Sequence, residues 1–228
     1  MQTSKWGSRG WKFLHCLPLC CKDELNSEQK AVWIEFIELL QKILPCKYCR
    51  ASYANFIRED TLANSFDDPK FKGHCQLALA HWLFTLHNKV NKKLEKDLCV
   101  NFYEKCCQVG RNVRQWEEAF WDFIFTVAWN YQPEGWRRDA YQRFFELLPS
   151  VLQSCDLGRR LAQCLNMSDF QKALKNTNSM KKFIFELWKK CNPQSVLTFE
   201  NIDNKYESWR SRTCSTPPES SLDASATC

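Results

Sequence analysis

A chain of 228 residues allows one large domain or two small ones, and 10 Trp with 16 Phe supply ample material for a core. The net charge of +6 is scattered over what read as helix surfaces, which argues against nucleic acid as a partner. No apolar run approaches the ~20 residues that span a bilayer, and the N-terminus lacks a hydrophobic signal core, so a soluble, cytoplasmic protein is expected.

Scarce glycine (6 residues) and short β-branched runs point to an all-α fold. Taken in chain order, Trp6 to Cys16 makes a first helical segment, followed by Pro18. Residues 28–44 form the strongest helix. Trp33, Ile37, Leu40 and Leu44 make one stripe, and Phe36, Leu39 and Ile43 widen it. A helix so apolar is buried on more than one side, in a bundle centre or at a dimer interface. Pro45 breaks the period, and a new helix begins around Cys46-x-x-Cys49. Another long helix covers 76–96, entered after Asp67-Asp68-Pro69 and Gly73.

From about residue 110 the pattern restarts. Trp116-x4-Trp121-x-Phe123-Ile124 echoes Trp6-x4-Trp11-x-Phe13-Leu14, and Ala140 to Cys155 echoes Ala31 to Cys46. This is either a degenerate repeat or the ordinary likeness of two amphipathic helices. The echo lacks the chemistry: no cysteine stands three residues after Cys155, and no His-Asn-x-Val-Asn follows. Residues 178–192 form the last expected helix, and Ser, Thr, Pro and Ala beyond it suggest a flexible tail. The expected domains are 1–108, 109–206 and a tail over 207–228.

The 14 cysteines are unusual for a reducing compartment, where such residues are more often metal ligands or catalytic thiols. Cys16, Cys164 and Cys191 read as small buried apolar residues. Cys46 and Cys49 do not. At i and i+3 near a helix start they can close a disulfide, and the helix N-terminus lowers the thiol pKa of Cys46. Zinc would want a second pair at similar spacing, and the chain offers only vicinal Cys20-Cys21, Cys106-Cys107 and an isolated His74-Cys75. No metal is therefore expected. Passing electrons from thiols to oxygen needs a cofactor, and flavin is the usual one. On the 76–96 helix, His87, Asn88 and Asn91 point an imidazole and two amides along one face, with Leu94 a turn further. Trp82 or Trp11 can supply a stacking wall, Lys93 and Lys96 can meet a pyrophosphate, and His15 follows Trp11 by four residues.

Trp6 to His15, then Pro45-Cys46-Lys47-Tyr48-Cys49, then Trp82 with His87-Asn88-Lys89-Val90-Asn91 resemble the core of the Erv/augmenter-of-liver-regeneration family. These are FAD-linked sulfhydryl oxidases, and the resemblance covers residues 6–96. It implies an Erv-like four-helix bundle holding FAD, with contacts from Gly7, Arg9, Trp11, His15, Tyr48, Trp82, His87, Asn88, Val90, Asn91, Leu94 and Lys96. It implies that Cys46 faces incoming protein dithiols, that Cys49 adjoins the flavin, and that oxygen is reduced to hydrogen peroxide. It implies a homodimer, with an intramolecular pseudo-dimer as the alternative. A structural disulfide of many relatives needs a cysteine where Phe84 stands, so Cys75 and Cys99 pair otherwise or not at all. Family enzymes often relay electrons through a second cysteine pair. Here Cys214 with Cys228 is the candidate, and Cys20-Cys21 and Cys106-Cys107 are its rivals. Some oxidases of large DNA viruses carry extra helical domains or inactive repeats, which for a viral protein implies host cytoplasm or virion. The competing readings are a zinc-stabilised helical adaptor and a scaffold inactive in both halves.

Overall fold

The computed structural model describes residues 1–102 and 113–210, and every long regular element among them is an α-helix. The first half holds α1 (Thr3–Cys16), α2 (Ser27–Ile43), α3 (Lys47–Glu59), α4 (Leu62–Asp67) and α5 (Cys75–Lys93). The second holds α6 (Val113–Trp129), α7 (Gly135–Val151), α8 (Asp156–Cys164), α9 (Met167–Ala173), α10 (Thr177–Cys191) and α11 (Phe199–Glu207).

Local chemistry sets the boundaries. Asn26 and Gln29 form a reciprocal capping box that starts α2, and the Cys46 side chain caps α3 by accepting from the Cys49 N–H. The helix expected over 76–96 stops at Lys93. There Glu95 N–H donates to the Lys92 carbonyl and Lys96 N–H to the Asn91 carbonyl, with Glu95 at φ 53°. This is a Schellman ending with Glu at the position that usually takes Gly. Leu94 and Lys96 therefore lie beyond the helix and not on its last turn.

Five helices of each half correspond in order: α1 to α6, α2 to α7, α3 to α8, α4 to α9 and α5 to α10. Within each half α2 packs on α3 and α7 on α8, α4 on α5 and α9 on α10, α1 on α5 and α6 on α10. Between halves the counterparts meet each other, α1 against α6 and α2 against α7. That is the arrangement of a two-fold dimer written in one chain. Phe36 stacks on Phe144 at 4.8 Å, Phe13 on Phe123 at 5.0 Å, and Arg143 bridges Glu35 at 2.6 Å. One apolar core runs through both halves. The broad apolar surface of α2, from which a homodimer was expected, is thus covered by α7.

A disulfide joins the halves between Cys20 and Cys155. This corrects the expectation that Cys20 and Cys21 compete as a shuttle pair, since Cys20 is committed elsewhere. Cys21, Cys75 and Cys99 remain free thiols. Residues 207–210, placed in the tail from composition, are part of the fold. Trp209 is buried, its carbonyl accepts from the Gln2 N–H at 2.8 Å, and Arg9 lies over its ring at 5.0 Å. An indole with such partners is held in place. Cys106, Cys107, Cys214 and Cys228 fall outside the described residues.

Candidate redox and flavin site

Cys46 sits at the N-cap of α3 because Pro45 ends the preceding turn and leaves the next amides free to be capped. Its sulfur accepts from the Cys49 N–H at 3.3 Å. Hydrogen bonding from the Cys49 thiol holds Cys46 down at about 6, helped by the Cys49 and Tyr48 amides and the Met1 ammonium, against the opposing effect of burial. The same hydrogen bond, together with burial, pushes Cys49 above the usual thiol range. Cys46 is the buried member and Cys49 is half-buried. Both are thiols in this structure.

The surroundings hold groups that sequence spacing did not reveal. Arg50 donates to the Leu44 carbonyl at 2.7 Å, which fixes the turn at Pro45. Burial lowers its pKa first, and Arg137 of α7 lowers it further, so a guanidinium of the second half stands near the redox end of α3. Arg137 is 3% exposed. The Lys47 ammonium lies over the Tyr48 ring at 5.0 Å, beside the pair.

α1 packs on α5, and their facing side chains form an aromatic and imidazole cluster. Trp11 stacks on His87 at 4.0 Å with 10° between the planes, and on His15 at 5.7 Å. The two imidazoles share a hydrogen bond, His15 Nε2 to His87 Nδ1, at 2.8 Å. Gly7, Trp11 and His15 are four residues apart and so share one face of α1. Arg9 does not. Two residues before Trp11 it projects about 200° away round the helix, where it pairs with Asp122 of α6 at 2.6 Å. The spacing alone could have placed it there.

On α5, Asn91 is buried, and His87 and Val90 are half-buried. Asn88 is already engaged, donating to the Cys99 carbonyl at 2.8 Å and accepting from the Cys99 N–H at 2.9 Å. Trp82 is core, with its ring N–H on the Asp60 carbonyl at 2.9 Å, so Trp11 is the partly open aromatic wall. Lys93 reaches Ser52 of α3 at 2.7 Å, and Lys96 is exposed beyond the helix. A half-open indole beside two imidazoles, a buried amide and lysines fits a group with a flat heteroaromatic ring and a pyrophosphate. Among the described residues no group of three His, Cys, Asp or Glu could hold a metal ion.

The second half shows what the same frame becomes without such a group. Phe125, four residues after Trp121, stands where His15 stands in the first half. Tyr206 of α11 stacks on Phe125 at 5.2 Å. α11 packs on both α6 and α10, the counterparts of α1 and α5. Gly158 stands at the counterpart of Cys49, three residues after the Cys155 N-cap. A Cβ there would lie 1.9 Å from the Leu152 carbonyl oxygen.

A sequence model of the Erv1/Alr family matches residues 8–115. The mitochondrial FAD-linked sulfhydryl oxidase ERV1 of Saccharomyces cerevisiae is 29% identical over 113 residues, 49% of this chain and 52% of that protein. An FAD-linked sulfhydryl oxidase of African swine fever virus is 30% identical over 95 residues, 41% of this chain and 71% of the viral protein. A probable FAD-linked sulfhydryl oxidase of Acanthamoeba polyphaga mimivirus is 28% identical over 91 residues, 40% of this chain and 59% of its own length. The chain thus spans about half the length of the yeast relative. No solved structure matches. The family match at 8–115 spans the part that carries the Cys46–Cys49 pair and the imidazole cluster, and the chain belongs to the Erv1/Alr family.

Proposed function

We propose that this chain is an FAD-linked thiol oxidase that makes disulfides in protein dithiols, with Cys46 and Cys49 as its redox pair and oxygen as final acceptor. The observation that carries the reading is Cys46 itself, an N-cap thiol whose sulfur accepts from the Cys49 N–H at 3.3 Å and whose ionisation is favoured by the second cysteine beside it. Such a thiolate is a good leaving group and a good nucleophile near neutral pH.

A substrate thiolate exchanges with the oxidised pair and leaves as a disulfide, and Cys46 and Cys49 are left reduced. Trp11, His15, His87, Asn91 and the lysines around Lys96 hold the flavin. FAD bound there would supply the two-electron chemistry that links the dithiol to oxygen, with hydrogen peroxide as the product. The chain's own part is to keep Cys46 ionised, bury the pair, and fix both sides of the clamp through the α1–α5 contact.

Cys214 with Cys228 is the relay we favour. In support, the Arg210 carbonyl accepts from the Gln2 side chain at 3.4 Å, so the last described residue of the chain is held at the start of α1.

One measurement tests the main reading. Purified protein is expected to be yellow, bleached by dithiothreitol without air and restored by oxygen. Cys46→Ser and Cys49→Ser should each keep the colour and lose dithiol oxidation. Colourless protein with stoichiometric zinc would overturn the proposal.

A further inference from the structure

Asn88 belongs to the His-Asn-x-Val-Asn motif, yet its side chain is engaged by the chain that follows α5. Its amide donates to the Cys99 carbonyl at 2.8 Å, and its oxygen accepts from the Cys99 N–H at 2.9 Å. A carboxamide so placed grips both main-chain groups of one residue, as a neighbouring strand would. Apolar burial does not hold this segment. Residues 92–98 are exposed, and Leu98 and Val100, on either side of the half-buried Cys99, are 50% and 94% exposed.

Two further contacts set its course. At its start the Lys96 N–H donates to the Asn91 carbonyl at 2.9 Å. At its far end Phe102 meets Phe84 edge-on at 5.5 Å and His81 at 5.4 Å. His81, Phe84 and Asn88 lie at i, i+3 and i+7, on one stripe of α5. The chain therefore doubles back along its own helix, and Lys96 is carried in a short loop closed at Asn91 and again at Asn88.

We infer that Asn88 is a positioning residue for the flavin: it acts through Cys99, fastening the loop that carries Leu94 and Lys96, and does not itself touch the cofactor. The inference rests on the flavin-site reading given above. His87 and Asn91 are fixed by α5 whatever the loop does. Leu94 and Lys96 stand beyond the helix, so they meet a ring edge and a pyrophosphate only while the loop keeps its course. A loop ordered before the cofactor arrives removes that ordering cost from binding.

The alternative is that Asn88 leaves Cys99 and bonds the flavin directly. Phe102→Ala separates the two, because it loosens the same loop and leaves Asn88 intact. FAD release from the full-length holoprotein is followed by the rise in flavin fluorescence on dilution. Asn88→Ala should speed release roughly tenfold, as the loss of two hydrogen bonds implies, and Phe102→Ala several-fold in the same direction. Asn88→Asp keeps the acceptor but regains a donor only when protonated, so acidification should slow its release relative to Asn88→Ala. With FAD in excess, alkylation of Cys99 by iodoacetamide at fixed pH, read by peptide mapping, should rise several-fold in Asn88→Ala and in Phe102→Ala. Faster release in Asn88→Ala alone, unchanged release in Asn88→Ala, or unchanged Cys99 labelling overturns the role. Labelling needs no turnover, so it reports the loop by itself. Unaltered protein that holds no flavin counts against the oxidase reading instead.

Discussion

Cys46 is where one residue's surroundings decide its chemistry. Its sulfur meets amides at a helix start and a neighbouring thiol, whereas Cys16, Cys21 and Cys191 lie among apolar groups and burial pushes each up to about 12. The sign follows from the causes. Donors favour the thiolate and burial disfavours it, so Cys46 ionises below the usual thiol range while the buried three stay protonated until far above neutrality. Brief alkylation of reduced protein at pH 7 should label Cys46 and spare those three, as peptide mapping would read directly. Uniform labelling would contradict the geometry. The pair was legible in the sequence because i, i+3 spacing after a proline carries its own geometry. Arg137 was not, because it arrives through packing between distant helices that no local spacing encodes.

At the level of elements, the strong amphipathic helices were readable, with 28–44 observed as Ser27–Ile43 and 178–192 as Thr177–Cys191. The short helices α4, α8 and α9 hold six, nine and seven residues, too few for a clear period, and tertiary packing fixes them. α11 escaped for another reason. Its apolar side chains Phe199, Ile202 and Tyr206 sit among polar residues and make sense only against α6 and α10. The connection between halves was equally hidden, since Cys20 and Cys155 are 135 residues apart. Closing so long a loop stabilises the fold by about 2–4 kcal/mol. Changing both cysteines to serine should therefore lower Tm by roughly 5–15 °C in a thermal scan. Flavin spectra should be retained at room temperature, and an unchanged Tm would mean that the bridge does not form.

The whole molecule is a dimer-like pair of bundles of which one carries the Cys46–Cys49 pair and the imidazole cluster. The repeat was visible in the sequence as two echoes, and the matching order of five helices turns those echoes into an architecture. What each half contributes differs. The first supplies the sulfurs and the clamp. The second covers α1 and α2, places Arg137 near the redox end of α3, and ties down the N-terminus through Trp209. A homodimer of the full chain therefore has to use another surface. The same layout holds Arg210 at the start of α1, and the proposed relay through Cys214 and Cys228 can be tested from there. Changing both to serine should slow oxidation of a reduced protein substrate while sparing dithiothreitol. Equal rates on the two substrates, measured by oxygen uptake, would remove the tail from the mechanism.

Gly158 shows how firmly the fold holds this difference between the halves. A glycine codon can become a cysteine codon by one base change, so restoring the second pair looks close at hand. The Leu152 carbonyl stands where the new Cβ would go. Such a mutant would lose stability before it gained a second sulfur, and Cys155 would still be tied to Cys20. Selection would meet the cost first. The turn between α7 and α8 is thus packed so that a second sulfur at this place would disrupt it.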